Sequence, residues 1–525
     1  MFTAAKEYRW VLIVSLLILA LSSVPILAGY AAQTPDQRFI GTFFDRQDYA
    51  VHLAMMHYGE QGGWAYQLRF TTEPHDSAYV RTFYVILGHI GGWLKIPAAW
   101  LFQIARLGFG LLALLALYRL LTRVFPTIGE RRLAFMLASL GAGLGWLQMP
   151  LGWILDPQIS PIDFWLIDAY LLFSLALFAH FSAAIAALVL ALTAFLDQIH
   201  QPRWQNIALI AICALFVQIV NPIAFILADL AMVGAFVFSC WKNRKMDWKL
   251  FLTLGFLALI QIPLLVYSLI LLTQDPIWAR FTQQNATLSP PLPYLFFGFA
   301  LFWPFACLGI IRTLQKREAT FGWAAFWVIS AFGLAYLPVA IQRRFLLAVA
   351  IPLAVLATPA LIDFSAWLSQ RFHLGKFTGA VFVTALILLT PLVMVTGYSV
   401  NFFSQPASFF EPAPLIQAVD WLNKNSAPNQ VVLASEPTAQ LVAIRTPLKL
   451  YFGHVMETLH YARKAQEVEG LYRGEQPATW LTAQDIDWVI WGPHEKKWGI
   501  FPSNLPNLKV VYQNEAVTIY RVFLP

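Results

Sequence analysis

The sequence predicts a mainly α-helical, polytopic membrane protein with a small extracytoplasmic α/β domain at its C-terminal end. Of its 525 residues 59% are hydrophobic and 12% are charged, and the mean hydropathy is +0.62. This balance excludes an ordinary soluble domain. A helix needs about 20 apolar residues to cross the hydrocarbon core, and by this criterion the chain contains about eleven transmembrane helices. After residue 400 the composition becomes mixed and predicts no further span.

Basic residues in the short loops indicate how the chain crosses the membrane. Lys6 and Arg9 precede the first apolar run, residues 10–27, and place the N-terminus in the cytoplasm. That run is longer than the apolar core of a signal peptide, and many others follow, so we expect it to be kept as the first transmembrane helix. The net charge of +7 therefore reflects topology and does not indicate nucleic-acid binding. We expect a multi-pass protein of a bacterial plasma membrane.

Apolar runs separated by basic or proline-containing loops define the predicted spans. They are residues 10–27, 98–121, 133–149, a run ending near 196, two runs within 206–240, a run reaching 273, a run ending at 312, and residues 321–340, 345–361 and 377–398. Asn221-Pro222 separates the two runs within 206–240, because proline interrupts helical hydrogen bonding. Segments 79–93 and 164–178 are predicted to be interfacial or re-entrant, since counting either as a span would invert the pattern of basic loops.

The region after residue 400 predicts one small α/β domain outside the membrane. Helices are expected over 413–423, 458–473 and 478–483, and strands over 431–434, 448–452, 488–491, 509–512 and 517–522. We therefore divide the chain into a transmembrane domain, 1–400, with its first outer loop at 31–97, and an α/β domain, 401–525. Polar residues that follow strands suggest a ligand site or, as the preferred interpretation, turns and caps. They are His454, Glu457 and His494.

The first outer loop concentrates ionisable side chains. They are Asp45, Asp48, Glu73, His75 and Asp76, with Arg46, Arg69 and Arg81 nearby. In a chain with so little charge, this concentration of ionisable side chains indicates a functional site. The alternative is that these are solvated loop charges. Residues 48–58 are apolar and aromatic enough to predict a helix on the membrane surface.

Arg343 and Arg344 form a second candidate site. They lie in a very short turn that the topology places outside, where basic residues are disfavoured unless something offsets the cost. A guanidinium group binds phosphate through two hydrogen bonds and stays charged. The alternative is that both side chains extend towards lipid headgroups. Arg280 is a poorer candidate. Three acidic residues either line the same cavity or stabilise helix ends, and they are Asp156, Asp163 and Asp168.

The order of elements in this first loop resembles that of the GT-C superfamily of membrane glycosyltransferases. A first span is followed by aspartates, an amphipathic segment, Gly63-Trp64, the turn Glu73-Pro74-His75, and a span that ends in basic residues. The pattern is similar to that of the protein O-mannosyltransferases and the aminoarabinose transferases of lipid A. In those families an Asp, usually in an Asp-Glu pair, opens the loop. The distance to Gly63-Trp64 matches it to Asp48, with Tyr49 in place of Glu, and Asp45 is the competing match.

The resemblance implies an inverting transfer of a sugar from a polyprenyl-phosphate-linked donor to an extracytoplasmic lipid, glycan or protein. It implies Asp48 or Asp45 as the catalytic base, and Arg343 and Arg344 on the donor phosphate. The side chains it leaves for an acceptor or a supporting role are Glu73, His75, Asp76 and Arg81. The implied partners are the lipid-linked donor, membrane lipid and the acceptor, without nucleic acid. No cofactor or metal ligand is assigned, and a divalent cation is left open. The C-terminal part resembles the tails of multispan proteins of bacteria such as the Chloroflexi, which implies no activity.

Two other functions compete with a glycosyltransferase. A transporter or lipid-carrier flippase would show two related halves and a site at the membrane midplane, whereas we find no clear internal repeat and the ionisable residues cluster at one face. A non-catalytic assembly factor with the same fold would also suit the missing acidic partner at Tyr49. An enzyme should bring Asp48 and the Arg343-Arg344 pair to one outward-facing cavity.

Overall fold

The computed structural model describes residues 2–148, 150, 161–373, 375, 378–499 and 505–523. The chain divides into two compact units. The helical unit comprises Met1–Val24, Ala105–Tyr267 and Thr287–Gly397. The α/β unit comprises Pro25–Ile104, Ser268–Ala286 and Tyr398–Pro525.

Seven helices among the described residues are long and apolar enough to cross a membrane. They are Phe2–Ala31, Ala98–Val124, Ala179–His200, Ala224–Asn243, Trp248–Gln274, Ala350–Phe372 and Thr378–Asn401. Helices Leu292–Gly298 and Trp303–Lys316 bend by 93° and count as an eighth if they form one span. This confirms a polytopic helical membrane protein. The other three predicted spans correspond to shorter helices, which are Ile128–Leu140, Trp204–Val220 and Ala319–Leu334.

Local sequence explains where two of the shorter helices begin and end. The Ile128–Leu140 helix begins at a capping box, in which Thr127 and Glu130 exchange side-chain and backbone hydrogen bonds. It ends at Leu140, nine residues before the predicted limit of 149, and that limit itself lies outside the described residues. The Trp204–Val220 helix ends before Asn221-Pro222, and the Asn221 Oδ1 then accepts hydrogen bonds from the first amides of the following helix. The predicted tight turn is therefore present.

Burial separates the core of the helical unit from its periphery. In an apolar stretch of 18 residues, 83% of the residues are buried in the Ala179–His200 span and 89% in the span that ends at Phe372. The Trp248–Gln274 span is only 11% buried, and large apolar side chains such as Leu252 and Leu259 are exposed along it. Such a uniformly apolar, exposed helix is suited to contact lipid. The predicted re-entrant segment 164–178 contains the short helix Leu171–Leu177, all of whose residues are buried.

The C-terminal part of the chain contains a five-stranded sheet, as predicted. Its strands are β3 (Val431–Leu433), β4 (Lys449–Leu450), β5 (Trp488–Trp491), β6 (Leu508–Gln513) and β7 (Thr518–Val522). Their order is β4-β3-β5-β7-β6. Strand β3 pairs parallel with β4 and β5, and β7 pairs antiparallel with β5 and β6. The helices of this part are Ala413–Asn425, Glu436–Arg445, Tyr461–Tyr472 and Ala478–Ala483. The Glu436–Arg445 helix was not predicted from the sequence.

The first loop and the C-terminal region form one compact unit. Strand β1 (Gln37–Phe39) pairs antiparallel with β2 (Phe410–Pro412), and the Leu450 amide of β4 donates to the Arg69 carbonyl at 2.8 Å. The remaining helices of this unit are Arg46–Glu60, Thr82–Leu94 and Pro276–Gln284. The division into domains 1–400 and 401–525 stays a prediction, to which the structure adds that residues 31–97 pack with the C-terminal region.

The Arg46–Glu60 helix contains the helix predicted over 48–58. Most of its side chains from Tyr49 to Met56 are buried by protein, and its position on a membrane surface stays a prediction. It packs so closely on the Thr82–Leu94 helix that a Cβ atom at Gly88 would lie 2.0 Å from the Met56 carbonyl oxygen. The alternation of apolar and aromatic residues that suggested an interface fills a protein core.

Candidate active site

Asp45 begins the helix that carries the candidate base. It adopts φ 42° and ψ 67°, a left-handed conformation that Asp tolerates better than most residues. Its Oδ1 accepts a hydrogen bond from the Asp48 amide at 3.0 Å. Such a cap satisfies an amide that the helix itself leaves without a partner. The structure therefore gives Asp45 a positioning role and fixes the first helical turn, Arg46 to Asp48.

The first turn of this helix is held by the C-terminal region. Arg46 donates to the carboxylate of Glu411 at 2.5 Å and to the carbonyl of Pro437 at 2.6 Å. Glu411 is fully buried and is also contacted by His494 Nε2 at 2.7 Å. A buried carboxylate is tolerated because both of its oxygens have charged or polar partners. This arrangement fixes the backbone immediately before Asp48.

Gln47 provides a second attachment between the same turn and the C-terminal region. Its Nε2 donates to Glu436 at 2.9 Å, and its Oε1 accepts from the Val455 amide at 3.2 Å. Val455 directly follows His454 in the chain. The glutamine side chain thus ties the helix to the turn that carries this histidine.

His454 lies beside Asp48. Its Nε2 is 3.5 Å from the Asp48 Oδ1, and its side chain is only 4% exposed, whereas that of Asp48 is 51% exposed. Its Nδ1 accepts hydrogen bonds from the Met456 and Glu457 amides at 3.0 and 3.1 Å. Through Nδ1, His454 stabilises its own turn, which is the role that the sequence analysis preferred for it. The other nitrogen faces the candidate base.

The two aspartates differ in their electrostatic environments. Burial, followed by the negative charge of Asp48, raises the pKa of Asp45 to about 7. Loss of water also raises the pKa of Asp48, but the contact with His454 outweighs this and holds that pKa well below its ordinary value. His52 and Arg81 act on Asp48 in the same direction. Asp48 is therefore ionised at neutral pH, while Asp45 exchanges its proton in that range.

Arg81 lies at the start of the Thr82–Leu94 helix, with φ 54°. Its guanidinium group forms an ion pair with the buried carboxylate of Glu457 and lies 4.8 Å from the ring centre of Phe281. Tyr66 donates to the other oxygen of Glu457 at 3.4 Å. About a third of the Arg81 side chain remains exposed. Its positive charge lowers the pKa of Asp48, and a role for Arg81 towards an acceptor stays a prediction.

Of the other three predicted loop residues, Glu73 and His75 make structural contacts through their side chains. Glu73 accepts hydrogen bonds from Lys464 at 2.8 Å and from Thr71. His75 uses both ring nitrogens within the loop, with Nδ1 2.7 Å from the Glu73 carbonyl and Nε2 3.0 Å from the Leu68 amide. Asp76 is exposed. A role for these residues towards an acceptor stays a prediction.

Arg343 and Arg344 lie in the helical unit, in a short 3-10 helix that spans Gln342–Leu346. The Arg343 amide donates to the Thr287 carbonyl at 3.1 Å, and its guanidinium group lies 5.5 Å from the ring centre of Trp165. Both arginines interact electrostatically with Asp168. Their approach to the Asp45-Asp48 pair stays a prediction.

Two further acidic residues, Asp163 and Asp156, were predicted either to line one cavity with these arginines or to stabilise helix ends. Asp163 is buried, and its Oδ2 accepts hydrogen bonds from the Gly143 and Gly145 amides at 3.1 and 3.0 Å. This is the structural role that the sequence left open. Asp156 lies outside the described residues.

Across the described part of the chain, no three His, Cys, Asp or Glu side chains group as ligands for a metal ion. The Asp45-Asp48 pair with His454 does not form such a set. The divalent cation that the sequence left open stays a prediction.

Solved structures with the same arrangement of helices identify the fold. The apo oligosaccharyltransferase of Archaeoglobus fulgidus aligns with 92% of this chain and 69% of its own, at 13% identity and a TM-score of 0.51. The mycobacterial arabinofuranosyltransferase AftD aligns with 98% of this chain and 42% of its own, at 16% identity and a TM-score of 0.51. The chain has the GT-C fold. The resemblance noted in the first loop is therefore confirmed at the level of the fold.

The archaeal oligosaccharyltransferase AglB from Archaeoglobus fulgidus, in complex with an inhibitory peptide and a dolichol-phosphate, aligns with 91% of this chain and 69% of its own, at 13% identity and a TM-score of 0.50. No family model and no curated protein sequence matches the chain. The GT-C assignment therefore rests on three-dimensional similarity.

Sequence reasoning missed the residues that hold Asp48 in place. Glu411 carries no signal in the sequence, since it lies in a short segment before a helix. His454 and His494 were noted as polar residues after strands, but nothing in the sequence joins them to the first loop. Asp45 could have been identified as a helix cap, because Asp is a preferred residue at that position.

Proposed function

We propose that the protein is a membrane glycosyltransferase that moves a sugar from a polyprenyl-phosphate-linked donor to an extracytoplasmic acceptor, with inversion at the anomeric carbon. The observation that carries this proposal is the Asp48 carboxylate, which is half-exposed, held next to His454 and fixed at the start of a buried helix. The GT-C fold supports it, because the similar structures are glycosyltransferases.

Asp48 would act as the general base of the reaction. A carboxylate that is ionised at neutral pH can accept the proton of an acceptor hydroxyl or amine as that group attacks the anomeric carbon. The new bond forms on the face opposite the phosphate, and the bond between the anomeric carbon and the phosphate oxygen breaks. Inversion follows from this single displacement. The proton passes to Asp48 as the bond forms and is then released to solvent, because the pKa of this carboxyl group lies well below its ordinary value.

Arg343 and Arg344 would hold the leaving group. The bond cleavage places negative charge on the polyprenyl phosphate, and fixed guanidinium groups stabilise that charge without reorganising. The dolichol-phosphate bound to the archaeal oligosaccharyltransferase supports a donor of this class. The N-terminus is expected in the cytoplasm and the C-terminal region outside, where lipid-linked donors and acceptors of the cell envelope would meet.

Sugar transfer by the purified full chain in lipid nanodiscs tests this proposal. The assay presents undecaprenyl-phosphate glucose, mannose, arabinose and aminoarabinose, each labelled in the sugar, together with extracted envelope lipids and glycans. We expect release of undecaprenyl phosphate and labelled product with at least one donor. Asp48→Asn should lower the rate about 100-fold or more, the usual scale for loss of a general base.

Asp36→Asn is the matched control, because Asp36 is an exposed aspartate of the same loop. It should keep the wild-type rate. Equal transfer by the wild-type and Asp48→Asn proteins would refute the assigned base. Movement of intact labelled donor across proteoliposomes without any transfer would instead favour a flippase.

A further inference from the structure

We propose that His454 is a positioning residue for the reaction, which directs its Nε2 proton at Asp48, orients the carboxylate and stabilises its negative charge. This inference rests on the proposed function. It assigns the C-terminal region a direct part in the active site, because the histidine follows strand β4 while the aspartate belongs to the first loop.

Backbone hydrogen bonds determine which nitrogen of His454 carries the proton. Nδ1 accepts from two amides, those of Met456 and Glu457. A nitrogen that accepts N–H groups cannot also carry a proton, so the neutral ring has its hydrogen on Nε2. That hydrogen faces the Asp48 Oδ1. His454 is thus a donor to the carboxylate and does not compete with Asp48 as the base.

The fold also fixes the orientation of the ring. Gly453 adopts φ +151°, and a Cβ atom there would lie 2.6 Å from the Cβ of Ala439, so glycine is required to turn the chain after β4. The amides of Gly453 and His454 both donate to the Thr458 hydroxyl, at 3.3 and 3.2 Å. The Phe70 ring lies 5.5 Å from the imidazole ring. The imidazole therefore has little freedom to rotate.

Asp48 keeps enough open surface to meet an acceptor. The separation of 3.5 Å from His454 is longer than a usual N–H···O hydrogen bond, and such contacts in unliganded enzymes often tighten in the complex. Other ionisable groups that face Asp48 are Asp45, His52 and Arg81. Of these, only Asp45 opposes the ionised form of Asp48, so removal of His454 should shift the balance towards protonation.

Infrared titration of the full chain in nanodiscs measures this effect without any need for a substrate. The carboxyl C=O band that is lost in Asp48→Asn reports protonation of Asp48. We expect that band to appear about one pH unit or more higher in His454→Leu than in the wild type, since loss of a hydrogen bond to a charged group has an effect of this size. His454→Gln retains an N–H group that can reach Asp48 and should restore the wild-type midpoint.

His460→Leu is the matched control, because His460 is an exposed histidine of the same region that contacts Arg280. Unchanged midpoints in both the Leu and the Gln variants of His454 would overturn the inference. A shifted midpoint in His454→Leu in a protein that transfers no sugar would instead leave the Asp48-His454 pair intact and refute the proposed function. In an active protein, the acidic limb of kcat/KM should move upward with the infrared midpoint.

Discussion

Replacement of Arg46 by Met should destabilise the α/β unit by about 3–5 kcal/mol, the range observed when one partner of a buried ion pair is removed. The Glu411 carboxylate is fully buried, and its partners are Arg46 at 2.5 Å and His494 at 2.7 Å. Loss of the guanidinium group leaves this fully buried carboxylate with His494 as its remaining charged or polar side-chain partner. Because Arg46 is only 9% exposed, solvent screening does not reduce the effect greatly.

Thermal unfolding in nanodiscs, followed by tryptophan fluorescence, measures this loss. A destabilisation of 3 kcal/mol lowers the Tm of a unit of about 200 residues by about 6–12 °C. Arg46→Met combined with Glu411→Gln should recover part of the loss, because the uncompensated charge is then absent. Arg38→Met is the control, since Arg38 is exposed on strand β1. A Tm of Arg46→Met within about 1 °C of the wild type would refute the reasoning.

Three further predictions concern packing, pH dependence and the donor phosphate. Gly88→Ala should destabilise the protein by about 1–3 kcal/mol in thermal unfolding, because its Cβ would meet the facing helix backbone at 2.0 Å. If Asp48 is the base, the transfer rate should stay level from pH 7 to pH 5. A base with the pKa of Asp45, about 7, would lose about 50-fold, because it is half ionised at pH 7 and almost fully protonated at pH 5. Arg343→Ala should weaken binding of labelled undecaprenyl phosphate about 10- to 100-fold, the scale of a charged hydrogen bond.

Each of these three predictions has a control variant. Gly108→Ala meets no atom within 4 Å and should be neutral or slightly stabilising in its helix. The Asp45→Asn variant removes the titration of Asp45 and therefore shows which of the two aspartates determines the pH profile. Arg371→Ala removes an exposed arginine of the helical unit and should leave phosphate binding unchanged. Equal losses in a test variant and its reference would contradict the assigned contact.

Local patterns in the sequence were sufficient for much of the C-terminal region. The strand over 488–491 and the helix over 478–483 have the predicted limits, because aromatic and β-branched runs are bounded there by polar residues. The Glu436–Arg445 helix was missed, since it follows strand β3 within three residues and its burial comes from contacts on several sides. Strands β1 and β2 have three residues each, too few for a periodic signal.

The candidate site was predicted only in part. Asp45 and Asp48 stand out by charge alone in an apolar chain. The contact between Asp48 and His454 joins residues that are far apart in the sequence, and tertiary packing of the first loop on the C-terminal region produces it. The helix over 48–58 was predicted, but its burial by protein was not, because apolar side chains that suit a membrane interface also suit a protein core.

The position of a bound polyprenyl phosphate relative to Asp48 tests the central claim most directly. An experimental structure of the full chain with undecaprenyl phosphate would locate both groups. We predict that the phosphate lies on the Arg343 and Arg344 guanidinium groups, in one outward-facing cavity and within about one phospho-sugar's length of the Asp48 carboxylate. A phosphate held elsewhere, or aspartate and arginines on opposite faces of the membrane, would contradict the mechanism.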